Sequence, residues 1–337
     1  VGSTWTALVN TLHLKNPNKF FLGNTRNQLQ FAETSIGNLN ISSGNIIDIN
    51  SLLKSNLSAW IRSTTGQYID SVSTFKWYNA EYNSSKRTLQ LDSFTYHPTQ
   101  PRDSVIANTP YQTDYITLNT GPVKLNGFNL EQYEKNNSFY ADTLELAQPL
   151  FTIYRDKAPP FLSGIEKPLP VDMIARIPFP VAMKKVRIDD GTLAYTEKHP
   201  KTRAEGTILL THMNAELSNI KNRNITKEDS LLLTMNAYLI DSSLLHLMVK
   251  ESYLDSLSGF LMTLKLRPTT LSFLNPVIMP LSNVKIISGT VDSFQLRAIG
   301  HDNLSIGEMQ MYYRDLRIKI IKNGEEERSS IVGDIAS

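Results

Sequence analysis

The sequence predicts a mainly β protein, built as a long meander of antiparallel strands with short polar connections and a few short helices. Apolar and polar residues alternate along 284–298 and again along 304–321. Such alternation places the two sets on opposite faces of a sheet. Helical periodicity is rare elsewhere in the chain. These observations favour an extended sheet over a mixed globule.

Most of the other candidate strands follow from the same alternation. The segment 186–195 predicts a hairpin, with two strands around the turn Asp189-Asp190-Gly191, because Asp and Gly tolerate the positive φ that such turns need. Ser288-Gly289-Thr290 predicts a bend or bulge within a longer hairpin arm, and the phase change at Arg314-Asp315 predicts a bulge or short turn. The remaining candidate strands are 71–82, 87–96, 114–118, 122–131, 139–147, 150–154, 207–218 and 229–240.

Two segments have helical patterns. Residues 46–62 have apolar positions at helical spacing, and residues 270–281 predict one short helix with Pro276 near its first turn. Six of the 16 prolines lie in 159–180, and proline resists central strands. We therefore predict a β-rich region over 1–158, a proline-rich connector, edge or seam over 159–180, and a second β region over 181–337.

Composition excludes several classes of protein. The 34 basic and 32 acidic residues leave a net charge of +2, which argues against a dedicated nucleic-acid binder. The chain has no cysteine, so it is neither a disulfide scaffold nor a thiol enzyme. No stretch approaches the roughly 20 apolar residues that span a bilayer. The chain begins at Val1 without a signal-peptide pattern, and we expect a mature form or an excised fragment.

The sequence contains no local catalytic motif. G-x-S-x-G, H-E-x-x-H, P-loop and G-x-G-x-x-G patterns are all missing, and the six histidines are scattered singly. We therefore predict a non-enzymatic protein without a metal or cofactor. A hydrolase on a β scaffold would need residues brought together only by the fold. We interpret His246 as a strand residue facing water, and Lys184, Lys185 and Arg187 as a solvated face rather than a headgroup site.

Aromatic residues crowd two neighbouring strands: Trp77, Tyr78, Tyr82, Phe94 and Tyr96. They could line a ligand groove or stack on sugars, and cross-strand aromatic pairs also stabilise sheets. This leaves one alternative function open, a secreted or surface β-sandwich that binds glycan or protein through Trp77, Tyr78, Tyr82 and Tyr96.

Three C-terminal segments resemble a known family. Leu271-Ser272-Phe273-Leu274-Asn275-Pro276, the strand 284–292 with Ser288-Gly289-Thr290, and 307–318 with Tyr313-Arg314-Asp315-Leu316 are similar to patterns of the AsmA-like proteins of the Gram-negative envelope. Residues 183–195 and 206–208 resemble the hairpins of that family. The resemblance covers roughly 165–321, is closest to members from Bacteroidetes-type bacteria, and involves no catalytic motif.

The resemblance implies a curved antiparallel sheet that forms an open, taco-like groove with an apolar inside. The groove candidates are Val284, Ile286, Phe294, Leu296, Leu316, Ile318 and Ile320. These residues could instead pack against a second sheet in a closed sandwich core. The two arrangements differ in whether the apolar face is open along its length.

The function that the resemblance implies is lipid binding or lipid transfer in support of outer-membrane assembly or maintenance. The expected partners are phospholipid or another envelope lipid and proteins of the inner or outer membrane, with no nucleic acid. The expected location is the periplasm, with an inner-membrane anchor in a segment missing from this chain.

Overall fold

Eighteen strands form one mixed sheet in the part of the chain that the structure describes. This structure is a computed structural model, and it describes residues 4–21, 28–44, 60–128, 130–162, 164, 168–254, 259–301 and 304–321. The prediction of a mainly β protein with a few short helices is confirmed.

The strands are numbered in chain order. The first ten are β1 (Thr6–Phe21), β2 (Gln28–Ser42), β3 (Trp60–Ile69), β4 (Ser73–Asn83), β5 (Thr88–Leu91), β6 (Ser93–Pro98), β7 (Asp114–Thr120), β8 (Val123–Asn126), β9 (Phe139–Ala147) and β10 (Leu150–Asp156). The last eight are β11 (Val181–Lys198), β12 (Glu205–Lys221), β13 (Ser230–Leu239), β14 (Ser243–Ser252), β15 (Phe260–Leu266), β16 (Thr269–Thr270), β17 (Val284–His301) and β18 (Leu304–Ile320).

The described helices are short. They are α1 (Arg102–Asn108), α2 (Leu130–Asn136), α3 (Pro170–Ala175), a 3-10 helix (Leu271–Leu274) and α4 (Asn275–Ser282). The 3-10 helix and α4 confirm the predicted helix at 270–281. The predicted helix at 46–62 lies mostly outside the described residues, and its last three residues belong to β3. The predicted strand at 122–131 is wrong beyond Asn126, because Gly127 turns the chain with φ +73° and α2 follows.

Strand order is nearly the order of the chain. The strands β1 to β4 are successive neighbours, as are β11 to β15, and β15 then pairs with β17 and β17 with β18. Between β4 and β11, the sheet has three strand positions that are each filled by two short strands lying end to end. These pairs are β5 and β6, then β8 and β7, then β9 and β10.

The prediction of antiparallel pairing throughout is wrong at β11. This strand runs parallel to β9 along its first half and parallel to β10 along its second half. Parallel neighbours need a crossover, and residues 157–180 provide it, with α3 inside. Asn222, which is 6% exposed, holds the end of this connector. It accepts a hydrogen bond from the Val181 N–H (2.8 Å) and donates to the Phe179 carbonyl (2.9 Å).

The predicted hairpin at 186–195 is also wrong, since these residues belong to the single strand β11. Asp190 has φ +50°, and the pairing with β12 shifts register on both sides of Gly191. The feature is therefore a bulge, which bends a strand and increases its local twist. The predicted bulges at Ser288-Gly289-Thr290 and at Asp315 (φ +53°) are confirmed.

The bulge in β11 belongs to a line of interruptions that crosses several adjacent strands. The Asn79 side chain in β4 donates to Asp92, which separates β5 from β6 (2.6 Å). The Gln148 N–H, between β9 and β10, donates to the Asp189 carbonyl (2.8 Å). On the same level, Asp190 and the Nδ1 atom of His212 in β12 are 2.8 Å apart. We call the set the interruption line: Asn79, Asp92, Gly121, Gln148, Asp190 and His212.

Candidate functional site

One face of the sheet carries an unbroken row of apolar residues. Each member lies directly opposite the next on the neighbouring strand, and directly opposite residues share a face. The first apolar row is Tyr82, Leu89, Leu125, Leu144, Val186, Leu217, Leu233, Val249, Met262 and Ala298.

A second apolar row runs beside the first, two residues along each strand. It is Leu91, Val123, Leu146, Ile188, Ala215, Met235, Leu247, Leu264, Leu296 and Met309. We call the face that carries both rows the apolar face. It extends from β4 to β18.

The residues between the two rows point to the opposite face and are mostly charged or polar. The polar row is Glu81, Gln90, Lys124, Glu145, Arg187, Glu216, Thr234, Met248, Thr263, Arg297 and Glu308. We call this the polar face. Charges of opposite sign meet along it, as at Glu145, Arg187 and Glu216, and such pairs stabilise neighbouring strands.

Helices cover the apolar face only in part. Val171 of α3 packs on Ile220 and Leu231 at one end of the strands, and its N–H donates to the buried carboxylate of Glu251 (3.1 Å). At the other end, α4 reaches β12, where a Cβ added at Gly206 would lie 2.7 Å from the Leu281 side chain. Most residues of the two apolar rows remain half-buried, although Val123, Leu125, Met235 and Ala298 are buried.

Three of the seven predicted groove residues come together in a packed cluster. Ile286 is 6% exposed and contacts Leu271, while Phe294 and Leu316 pack against the same cluster. The cluster also includes Val291, which the alternation missed because the register of β17 shifts between Ile286 and Ser293. These side chains are core contacts with the 3-10 helix and α4.

The other four predicted residues have different surroundings. Leu296 belongs to the second apolar row. Val284 lies opposite Ile320, and Ile286 lies opposite Ile318, at the far end of β17 and β18. Ile318 is 43% exposed and Ile320 is 42% exposed, so these two side chains are solvent-accessible at the border of the apolar face.

The segments that carry the family resemblance meet in space. The Asn275 side chain donates to the Ile286 carbonyl (2.9 Å) and accepts from the Ile286 N–H (2.7 Å), and it thereby replaces a neighbouring strand. The Ser288 hydroxyl donates to the Asp315 carbonyl (2.8 Å). These contacts give a structural role, beside the bulges of β17 and β18, to Asn275-Pro276, Ser288-Gly289 and Asp315-Leu316.

The predicted aromatic set divides between the two faces. Trp77, Phe94 and Tyr96 lie on the apolar face, where Phe75 packs on Tyr96 with ring centroids 5.2 Å apart. Tyr82 begins the first apolar row. Tyr78 points to the polar face and is 45% exposed.

The polar face holds a shallow concavity of about 620 Å³ beside the interruption line. Glu216 lies in its wall and accepts hydrogen bonds from Lys185 (2.6 Å) and Arg187 (3.1 Å). The bond from Lys185, assisted by that from Arg187, lowers the pKa of the Glu216 carboxyl. Both cations therefore pair with the single carboxylate of Glu216. Lys184 pairs instead with Asp142 (2.6 Å), and His246 lies 2.9 Å from the Asn236 amide oxygen.

A second concavity on the polar face, of about 510 Å³, lies beside α1. Tyr154 in its wall is 5% exposed and donates to the Glu205 carboxylate (2.9 Å). Burial, together with this hydrogen bond, raises the pKa of Tyr154 to about 12. The Arg102 guanidinium lies over the Tyr154 ring, 4.3 Å from its centroid. The ring face is thus already occupied.

Two further features concern only the part of the chain that the structure describes. It contains no group of three or more His, Cys, Asp or Glu side chains placed to hold a metal ion. Its helices are all too short or too polar to cross a membrane. In the comparisons with known proteins, no family model matches this chain, and no curated protein matches it.

Sequence reasoning missed most of the two apolar rows, which lie in β5, β8, β9 and β11 to β15. The signal was present as alternation in segments such as 207–218 and 229–240. Alternation within one strand, however, does not show which residues of two strands lie opposite each other. That alignment depends on register.

Proposed function

We propose that this chain binds the acyl chains of phospholipid, or of another envelope lipid, along its apolar face. It acts as a non-enzymatic lipid-binding or lipid-transfer protein that supports outer-membrane assembly or maintenance. The observation that carries the proposal is the pair of apolar rows, which crosses ten strand positions without a polar residue. Nine steps of about 4.8 Å make such a row about 43 Å long.

The dimensions and energetics suit acyl chains. Half of a hydrocarbon core of about 30 Å gives about 15 Å for one lipid leaflet, so each row is longer than one acyl chain. Each CH₂ group removed from water contributes about 0.8 kcal/mol. The rows are mostly half-buried and helices cover them only in part, and a long apolar surface of this kind is suited to be an interaction site.

A groove requires curvature, and two observations support it. Bulges bend strands, and the interruption line places bends or breaks at one level on β4, β11, β12 and the short strands between them. In addition, α4 contacts both β12 and β17, which are four strand steps apart in the sheet. A sheet creased along this line would enclose its apolar face on both sides.

The periplasmic location, the inner-membrane anchor and the membrane protein partners are proposals that rest on the AsmA-like resemblance. The competing glycan-binding hypothesis would need Trp77, Tyr78, Tyr82 and Tyr96 on one accessible platform. Because Tyr78 lies on the opposite face from the other three, no single platform presents the set, and we do not propose that function.

Single cysteines provide a direct test, because the chain has none of its own. Leu264→Cys places a thiol in the second apolar row, and Thr263→Cys places one on the polar face of the same strand. After labelling with an environment-sensitive dye, added phospholipid should shift the emission of the Leu264→Cys protein to shorter wavelength. The Thr263→Cys protein should show no shift. Equal responses at both positions, or none at either, would contradict the proposal.

A second test uses charge. Leu233→Lys places an ammonium group in the first apolar row, while Thr234→Lys places one beside Glu216 on the polar face. We expect the first variant to lose phospholipid that co-purifies with the wild type in native mass spectrometry. The second variant should retain that phospholipid. Circular dichroism of both variants checks that the sheet is intact.

A further inference from the structure

Among the described strands, β18 lies at one edge of the sheet. It pairs with β17 along its whole length, and no other described strand pairs with it. An open edge presents unpaired N–H and C=O groups that can pair with another strand. Within the described part of the chain, β1 pairs with β2 alone and lies at the other edge of the sheet.

The two edges differ in their protection. In β1, Pro17 interrupts the strand and the register shifts between Lys15 and Asn18, and proline and bulges are the usual means by which proteins block edge pairing. β18 has 17 residues without proline, and its one irregularity is the bulge at Asp315. β18 thus has one bulge but no proline, and its residues 304–314 form a long regular stretch that favours strand addition.

Apolar side chains are exposed on both faces of the sheet at this edge. On the polar face, Ile299 and Ile306 lie directly opposite each other and are 66% and 72% exposed, next to Leu261 at 48%. On the apolar face, Met309 is 60% exposed. A lipid surface could cover these side chains, but it would leave the edge N–H and C=O groups without partners. A protein strand satisfies both requirements.

Charged side chains on the polar face of β18 favour a second copy of the same strand as its partner. Glu308 lies in its first part and Arg317 in its second part. If a second copy of β18 approaches antiparallel with Glu308 opposite Arg317, the two-fold symmetry forms the same pair twice. This register also places Gly307 opposite Ile318 on the apolar face.

We propose that β18 is a dimer interface, at which two copies of this chain join edge to edge with Glu308 of each copy opposite Arg317 of the other. A two-fold axis perpendicular to the sheet keeps both apolar faces on the same side. The apolar rows then continue from one copy into the next. The inference does not depend on lipid binding, so its failure would leave lipid binding by the single chain untouched.

Sedimentation velocity over a range of protein concentrations tests the interface with the full chain and without lipid. We expect a monomer–dimer equilibrium for the wild type. Glu308→Arg and Arg317→Glu should each weaken the dimer on the order of tenfold, because each converts two attractive contacts into repulsive ones. The double variant Glu308→Arg/Arg317→Glu should restore the wild-type constant. Lys265→Glu, on the polar face of β15, should leave it unchanged.

Three outcomes would overturn the proposal. The first is a wild type that stays monomeric at every concentration. The second is a dimer that responds to neither charge reversal, or is not restored by the double variant, which would place the interface elsewhere. The third is a monomer that binds phospholipid vesicles through Ile306 and Met309, which would make this corner a membrane contact. Circular dichroism of each variant separates these outcomes from misfolding.

Discussion

Replacing Asn275 by alanine should destabilise the protein, because its side chain completes the pairing of β17. The Asn275 amide makes two hydrogen bonds with the main chain of Ile286, at 2.9 and 2.7 Å, and Ile286 is 6% exposed. Each such bond contributes about 0.5–1.5 kcal/mol, and a buried polar group left without a partner costs about 1–3 kcal/mol. Alanine favours the helix by up to about 0.7 kcal/mol, so we expect a net loss of about 2–3 kcal/mol.

Urea unfolding measures this loss as a change in the free energy of unfolding. Hydrogen exchange adds a local test, since the Ile286 amide should lose protection in Asn275→Ala. Ser282→Ala, at the exposed end of the same helix, is the matched control and should stay within about 0.5 kcal/mol of the wild type. If Asn275→Ala also stayed within that range, or if Ile286 kept its protection, the amide would not be substituting for a strand.

Three further predictions concern other parts of the sheet. Gly191→Val should lower the midpoint of thermal unfolding, because a Cβ at Gly191 would lie 3.1 Å from the rigid Pro149 ring. An unchanged midpoint would show that the bulge accommodates a valine side chain. The hydrogen bond from Lys221 holds the pKa of Asp229 well below its usual value, so the wild type should lose stability as pH falls below about 4. The stability of Asp229→Asn should depend less on pH in this range. Parallel curves of stability against pH for the two proteins would refute this. Because burial and a hydrogen bond to a neighbouring carboxylate raise the pKa of Tyr154 to about 12, the wild type should lose stability between about pH 10 and 12, where only the unfolded chain is ionised. Between about pH 10 and 12, the stability of Tyr154→Phe should fall less steeply than that of the wild type. An identical fall in the two proteins would contradict this prediction.

The difference between β11 and the predicted hairpin shows where local patterns mislead. Asp190-Gly191 is a good turn sequence, and Asp190 does adopt positive φ. The chain nevertheless continues in the same direction, because β12 pairs with both halves of β11 around a bulge. A turn and a bulge require the same residue types, and only the neighbouring strand distinguishes them.

The groove candidates show a similar division. Alternation correctly placed Leu296 on an apolar face and Arg297 on the opposite one. It did not reveal that Ile286 and Phe294 pack under the 3-10 helix and α4, since that contact joins residues on either side of a bulge. It also could not show that Leu296 continues a row that begins on β5.

The sequence by itself determined the strand-forming segments, the helix at 270–281, and the apolar and polar sides of individual strands. These properties depend on side-chain period and on residues such as Pro276, which act over a few positions. Tertiary structure alone decided that β11 runs parallel to β9 and β10, that the interruptions align across strands, and that twenty apolar residues form two rows. Register and strand order are set by pairs of residues far apart in the chain, and a one-residue shift would move a strand's apolar side chains to the opposite face.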